Sequence, residues 1–207
     1  LQILALTAME PPARIEEKAI RDEKVKVLRS MAPLTRDKVA AGQYAAGGSH
    51  AGYLEERGIP AGSRTPTYAA AALEVNNERW AGVPFFIEAG KGLDERKTEI
   101  RVQFRDVPGN LFCQFGGCPS PNALVIRVQP DEDIYLEVVN KVPGLALSLA
   151  RQNLDLSYKA AFPQVIPDAY ESLLVDVIRG DNSLFIGGDE LSASWDIFTP
   201  LLHECDQ

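Results

Sequence analysis

A chain of 207 residues, 45% hydrophobic and 24% charged, is long enough for one large domain or two small ones with ample core. A net charge of −8 excludes a general nucleic-acid surface, which would need a basic stripe. No apolar run approaches the roughly 18 residues of a membrane span. A small phosphate held by a local group of cations remains compatible with these totals.

Leu1, Ile3, Leu4, Leu6 and Met9 are too dense for a surface helix and suit a buried helix end. Pro11-Pro12 stops it, because neither can donate a helical hydrogen bond. The chain opens inside this run with no initiator Met or signal-peptide pattern, and reads as cut. Glu16 to Met31 predicts a second helix, with Val27 and Met31, and Val25 and Leu28, at one-face spacings. Pro33 ends it.

From Ala40 to Arg64 six glycines recur without periodicity, which predicts loop. Gly42 to Ser49 resembles a phosphate loop only superficially, since no lysine precedes a Ser or Thr. His50 falls in this segment and is expected to be an exposed loop residue. Tyr68 to Val75 is ambiguous; its alanines favour helix, but Pro66 and its short length put strand ahead. A turn with Trp80 as core anchor then leads to Pro84.

Pro84 to Phe104, PFFIEAGKGLDERKTEIRVQF, reads as strand, charged crossover, strand. Phe85 to Ile87 are β-formers that stop at Glu88-Ala89-Gly90. Ile100, Val102 and Phe104 alternate with polar residues at the period of a half-buried strand. Between them lie Lys91, Arg96 and Lys97, with Gly90 and Gly92 flanking Lys91. Cations at a strand end beside flexible backbone suit an anionic group such as a phosphate. The same spacing also suits a solvated loop joining two strands.

After a loop over Asp106 to Pro121, Ala123 to Gln129 and Ile134 to Val139 predict an antiparallel hairpin across Pro130-Asp131-Glu132-Asp133. Arg127 and Gln129 share the face of Val125, opposite Leu124, Ile126 and Val128, as in a half-buried sheet with a polar working face. Asp155 to Tyr158 is a short further segment. Asp168 to Arg179 predicts a helix with a capping-box-like Asp168 and Glu171 and a stripe of Leu173, Leu174, Val177 and Ile178. A last helix opens at Gly188-Asp189, with Leu191, Trp195 and Phe198 on one face, and is expected to end at Pro200. Helices, strands, then helices, with no dividing linker, predict an α+β domain with a mostly antiparallel sheet.

The three cysteines do not suggest a secreted disulfide framework. Cys113, Cys118, His203 and Cys205 have only loose zinc-like spacing, so reduced thiols and no metal are expected.

Distributed over nearly the whole chain and in order, IRDEKVKVLRSM, GQY, SRTPTYAA, NNERWAGVPFFIEAGKGLDERKTEIRVQF, NALVIRVQPDE, PDAYESLLVDVIRGD and DELSASWDIFTPLL resemble glucose-6-phosphate dehydrogenase. The resemblance implies NADP-dependent oxidation of glucose 6-phosphate at C1 to the lactone, the entry step of the pentose phosphate pathway. It identifies residues 1–207 with the family's C-terminal domain, a large mostly antiparallel (mixed) sheet with helices on one face. The N-terminal Rossmann domain is expected to lie outside this chain. So is the catalytic histidine: Leu1-Gln2 match the end of the family's N-H-L-L-Q motif, which puts the base just upstream, so no residue here is expected to be catalytic.

By the same resemblance, Lys91 and Arg96 match the family's substrate-contacting cations, with Gln129 as a further substrate residue. Some members hold a second, structural NADP, to which Lys97, Arg101, Arg127, Tyr135 and Asp155 would contribute. Glu88 and Glu137 stand where those members have cations. The implied assembly is a homodimer or homotetramer through the sheet, in the cytoplasm or a plastid. The isolated residues are expected to be inactive. The alternative is a non-catalytic sheet module for oligomerisation or regulation. It would leave Lys91 and Arg96 solvated and exchangeable.

Overall fold

The computed structural model describes residues 1–115, 117–130, 132–157 and 169–205. Parts of four expectations therefore lie outside the described residues: Gly116 in the loop, Asp131 in the hairpin turn, Tyr158, and the Asp168 cap. The chain divides into two compact units: Leu1–Leu93 with Asp168–Gln207, and Asp94–Pro167.

In the first unit, helix α1 (Gln2–Ala8) buries Leu4, Ala5 and Ala8, and helix α2 (Glu17–Arg29) buries Lys24, Val25, Val27 and Leu28. Pairs one turn apart, Lys18 with Asp22 and Arg21 with Glu17, run along α2. Strands β1 (Val39–Gly42), β2 (Tyr68–Glu74) and β3 (Pro84–Gly90) form an antiparallel sheet in the order β1-β2-β3. Strand β1 falls within the stretch expected to be loop. Its four residues have no alternation of their own, and pairing with Ala69, Ala70 and Ala71 of β2 makes them a strand. Ala71, Leu73 and Val75 point inward at period two and join the helices' apolar residues in one core. The Asn76 amide donates to the Ser30 carbonyl at 2.8 Å, fixing the end of α2 to the end of β2. Truncating a side chain such as Leu28 in this core typically costs about 2–5 kcal/mol.

Trp80 is the anchor the sequence suggested. Its indole donates to the Ala8 carbonyl at 2.8 Å, and its ring meets Phe85 edge-on at 5.2 Å.

The two later helices depart from expectation. Helix α3 (Ala169–Arg179) forms, but its stripe of Leu173, Leu174, Val177 and Ile178 is exposed rather than packed. Helix α4 (Gly188–Cys205) runs through Pro200 instead of ending there. It buries Ala193, Ile197 and Leu201, while Leu191 and Trp195 are exposed. The cause is Glu190, which points inward. Its carboxylate meets the Lys24 ammonium at 2.8 Å, with side chains only 0% and 3% exposed, and Lys24 also donates to Gln2 Oε1 at 3.0 Å. Satisfying a buried charge outweighs the gain from the larger apolar residues.

In the second unit, β4 (Thr98–Gln103), β5 (Ala123–Gln129), β6 (Asp133–Lys141) and β7 (Leu149–Ser157) form a four-stranded sheet in sequence order. Every pairing among the described residues is antiparallel. The α+β class stands, with the expected large sheet divided into sets of three and four strands. Helices α1, α2 and α4 pack on one face of the three-stranded set.

The β4–β5 loop contains a further correction. Cys113 and Cys118 are joined in a disulfide, not reduced, and so cannot act as a zinc pair.

Candidate functional site

The strand–crossover–strand reading holds, and the two strands belong to different sheets: β3 lies in the first unit and β4 in the second. Lys91 immediately follows β3. Its backbone amide donates to the Thr67 carbonyl at 2.8 Å, and its side chain has no hydrogen bond or ion pair among the described residues.

The flanking glycines are required by close packing rather than by flexibility. A β-carbon at Gly90 would stand 2.8 Å from Cδ2 of Tyr68, and one at Gly92 would stand 3.3 Å from Cγ of Tyr44. Gly92 also has φ +66°, a region that side chains with a Cβ rarely adopt. Glu88 faces away from any anion-binding role, because its carboxylate accepts from the Tyr68 hydroxyl at 3.0 Å. That bond pushes the Tyr68 phenol above its ordinary pKa.

In the second unit, Arg96 precedes β4 and is exposed, with no side-chain partner among the described residues. Gln129 ends β5, directly opposite Thr98, so the sheet register brings Gln129 to the strand end that follows Arg96. Between Thr98 and Glu99 the register skips Val128, a bulge of the kind that re-aims side chains at a sheet's edge. Gln129 therefore does not simply continue the row of Arg127.

The register puts one polar face on this sheet. Glu99, Arg127 and Asp133 lie across β4, β5 and β6 in one row; Arg101, Val125, Tyr135 and Asp155 lie in the next, extending to β7. The side chains here are largely committed to each other. Glu137 accepts from both guanidinium nitrogens of Arg101, at 3.0 Å for Nη1, and its other oxygen also lies 3.3 Å from Arg151 of β7. One carboxylate thereby links three strands. The Arg101 bond holds Glu137 below the usual carboxylate pKa, while Glu137 raises Arg101.

Lys97 lies 2.6 Å from Glu95 and 3.5 Å from Glu99, and the hydrogen bond to Glu95 is the main cause raising its pKa. The Arg127 guanidinium sits 5.9 Å from the centroid of the Tyr135 ring. Its Nε and Asp133 Oδ1 are buried without hydrogen-bond partners. Val125 and Ala123 beneath these long side chains are fully buried, so the polar face is the better covered one. The opposite face leaves Leu154 and Leu156 at 62% and 52% exposure.

Five positions were expected to contribute to a structural nucleotide. Of these, Lys97 and Arg101 are already neutralised and Asp155 is itself acidic. A nucleotide phosphate at these two cations would have to compete with Glu95 and Glu137 for them. Sequence reading missed this pairing because Arg101 and Glu137 are 36 residues apart. It also missed Tyr44 and Thr67 as neighbours of the Lys91 crossover; the GQY and TPTYAA segments contained them, but nothing in their spacing links the two. His50 is exposed, its backbone paired with Gly47, and His203 is exposed as well.

The family described as glucose-6-phosphate dehydrogenase, C-terminal domain, matches residues 1–207. Glucose-6-phosphate 1-dehydrogenase 1, chloroplastic, of Arabidopsis thaliana is 54% identical over all of this chain and 37% of its own length. The cytoplasmic isoform of Solanum tuberosum is 50% identical over all of this chain and 39% of its own. The chain thus spans under two-fifths of these relatives. A solved glucose-6-phosphate dehydrogenase in complex with its substrate glucose-6-phosphate superposes with a TM-score of 0.86 at 44% identity, over 97% of this chain and 41% of that one. Glucose-6-phosphate 1-dehydrogenase from Mycobacterium avium gives 0.84 at 36% identity, over 98% of this chain and 42% of that one. From its first residue to its last, the chain belongs to the glucose-6-phosphate dehydrogenase C-terminal domain family.

Proposed function

We propose that these residues are the substrate-contacting and subunit-associating domain of an NADP-dependent enzyme that oxidises glucose 6-phosphate to 6-phosphogluconolactone. NADP, as hydride acceptor, is assigned to a separate coenzyme domain of the whole protein, and the general base to residues outside these 207. The residues here bind and position. Lys91 and Arg96 hold the phosphate end of the sugar, and Gln129 adds a neutral contact.

The observation that carries this reading is that Lys91 and Arg96 are exposed cations without partners among the described residues. Nearby Lys97 and Arg101 are both paired. A cation kept free of carboxylates on rigid backbone is available to an anion. The solved relative in complex with glucose-6-phosphate supports the identity of that anion. Both the chloroplastic and the cytoplasmic compartments are named among the relatives, and the whole protein is assigned to one of these two.

The test is Lys91→Ala in the whole protein. Losing a charge-assisted contact of about 1.5–3 kcal/mol raises KM for glucose 6-phosphate roughly 10- to 150-fold, with the KM for NADP little changed. An unchanged KM for the sugar phosphate overturns the assignment. Residues 1–207 alone are expected to show no NADP reduction, and turnover above background would contradict the division of labour.

Association through the sheet is part of the same proposal. Exposed Leu154 and Leu156 on β7 favour burial against another copy, and light scattering of Leu154→Glu should show a smaller species than the parent. An unaltered mass would remove β7 from the interface. The alternative, a non-catalytic sheet module, predicts the same mass change but no effect of Lys91→Ala on KM.

A further inference from the structure

The backbone at Lys91 is tied to Thr67 directly, and through Thr67 and Gly92 to Tyr44, within the first unit. Its amide donates to the Thr67 carbonyl at 2.8 Å, and the Thr67 amide donates to the Gly42 carbonyl at 2.9 Å. The Thr67 hydroxyl accepts from the Tyr44 amide at 3.0 Å. Thr67 is therefore bonded to Lys91 through its carbonyl and to Tyr44 through its hydroxyl. Tyr44 then returns to the crossover through its side chain, since its Cγ lies 3.3 Å and its Cβ 3.4 Å from where a β-carbon of Gly92 would stand.

The Tyr44 ring is itself fixed. Tyr53 meets it edge-on at 5.8 Å and 72°, and the Tyr53 amide donates to the Tyr44 carbonyl at 3.0 Å. The Tyr44 hydroxyl donates to Glu56 Oε1 at 3.3 Å. Its phenol pKa is raised by burial first and by the Glu56 carboxylate second, so the ring stays neutral and does not become an anion that would compete with a phosphate for Lys91.

We infer that Tyr44 and Thr67 are positioning residues for the Lys91 ammonium, setting its distance to the substrate phosphate without touching the substrate. Lys91 has four rotatable side-chain bonds and no side-chain partner among the described residues, so only its backbone can be placed in advance. Thr67 fixes the amide before it, and Tyr44 packs against the glycine after it. Gly92 has a left-handed backbone, which a side chain would strain, and a Cβ there would crowd the Tyr44 ring at 3.3 Å. A displaced backbone would shift the ammonium by its whole lever arm, and small misplacements of binding groups lose large factors in rate or affinity. The inference rests on the reading that Lys91 binds the phosphate, and the experiment separates the two.

Steady-state kinetics of the whole protein should be measured for Lys91→Ala, Tyr44→Ala, Tyr44→Phe, Thr67→Val and the double variant Lys91→Ala/Tyr44→Ala. Tyr44→Ala is expected to raise KM for glucose 6-phosphate about 10-fold, with kcat within about 2-fold of the parent. Tyr44→Phe, which keeps the ring, should restore the parental KM, and Thr67→Val should fall between them. The double variant should be no worse than Lys91→Ala alone, because a positioned group that has been removed can no longer be mispositioned.

If Tyr44→Ala leaves KM unchanged while Lys91→Ala raises it, or if the two effects multiply, the positioning role is overturned. Failure of Tyr44→Phe to restore KM would overturn the role of the ring in favour of the Glu56 bond. If Lys91→Ala itself leaves KM unchanged, the underlying site assignment is what fails. Should Tyr44→Ala not fold, Gly92→Ala displaces the same contact from the other side and is expected to give the same split between KM and kcat; an unaltered KM there is equally fatal.

Discussion

Two groups of cations lie within a dozen residues of each other in the chain, and they have been treated oppositely. Lys91 and Arg96 have no carboxylate partner among the described residues. Lys97 and Arg101 each do, from Glu95 and Glu99 in one case and Glu137 in the other. The first unit contains a still more committed example in Lys24, buried against Glu190. Cation content alone therefore says little about anion binding; what separates a site from a scaffold is whether the opposite charge is already supplied by the fold. The sheet's polar face supplies it internally, and among the described residues the crossover supplies none to Lys91 or Arg96.

The largest consequence of disturbing this division falls on the buried pair. Glu190→Ala leaves Lys24 charged in the core with no carboxylate shown against it, only the Gln2 amide oxygen, and should cost about 3–5 kcal/mol, measured by chemical denaturation. A loss below about 1 kcal/mol would show that Lys24 reaches water. Next come the free cations: Arg96→Ala should raise KM for glucose 6-phosphate by roughly 10-fold or more, as Lys91→Ala does, whereas Lys97→Ala should leave it within about 2-fold. Equal effects at Arg96 and Lys97 would erase the contrast.

Glu137→Ala should cost only about 1 kcal/mol, as surface pairs do, yet it should open the polar face. NADP should raise the Tm of that variant while leaving the parent unmoved. A clear NADP-dependent rise in the parent would show that a nucleotide can displace Glu137.

The smallest effect is one of pH. The Glu137 carboxyl is held below its ordinary pKa by Arg101 first, with Arg151 adding to it. Its contribution is therefore complete above the unfolded glutamate value near about 4.3 and is lost as pH falls through the depressed folded value. The Tm difference between the parent and Glu137→Gln should be constant at neutral pH and shrink in acid. A difference that persists unchanged at pH well below the ordinary range would assign the stabilisation to something other than the ion pair.

Much of the fold was legible because apolar alternation declares itself locally. The hairpin of β5 and β6 and the inward row of Ala71, Leu73 and Val75 could be read from period alone. Strand β1 could not, since Val39 to Gly42 become a strand only through pairing with alanines of β2 some thirty residues later. The face of α4 was misread because hydropathy ranks Leu191 and Trp195 above Glu190, and only the presence of Lys24 reverses that order. The disulfide depends on bringing two Cα atoms to 3.9 Å, a fact of loop geometry rather than spacing. At the site, resemblance supplied Lys91, Arg96 and Gln129, but the pairing of Arg101 and the tie between Tyr44 and Lys91 are tertiary.

The first unit is assembled from Leu1–Leu93 and Asp168–Gln207, with the four-stranded sheet carried between them. Ala193, Ile197 and Leu201 of its core, and the only carboxylate shown against Lys24, come from the second of these segments. During synthesis, helices α1 and α2 and the three-stranded sheet therefore emerge well before the residues that close their core. The four-stranded sheet, encoded as one continuous stretch, can complete its pairing first. Until α4 is made, this core lacks Ala193, Ile197 and Leu201, and Lys24 lacks the Glu190 carboxylate. This makes the last twenty residues of the chain a checkpoint for the integrity of its first thirty.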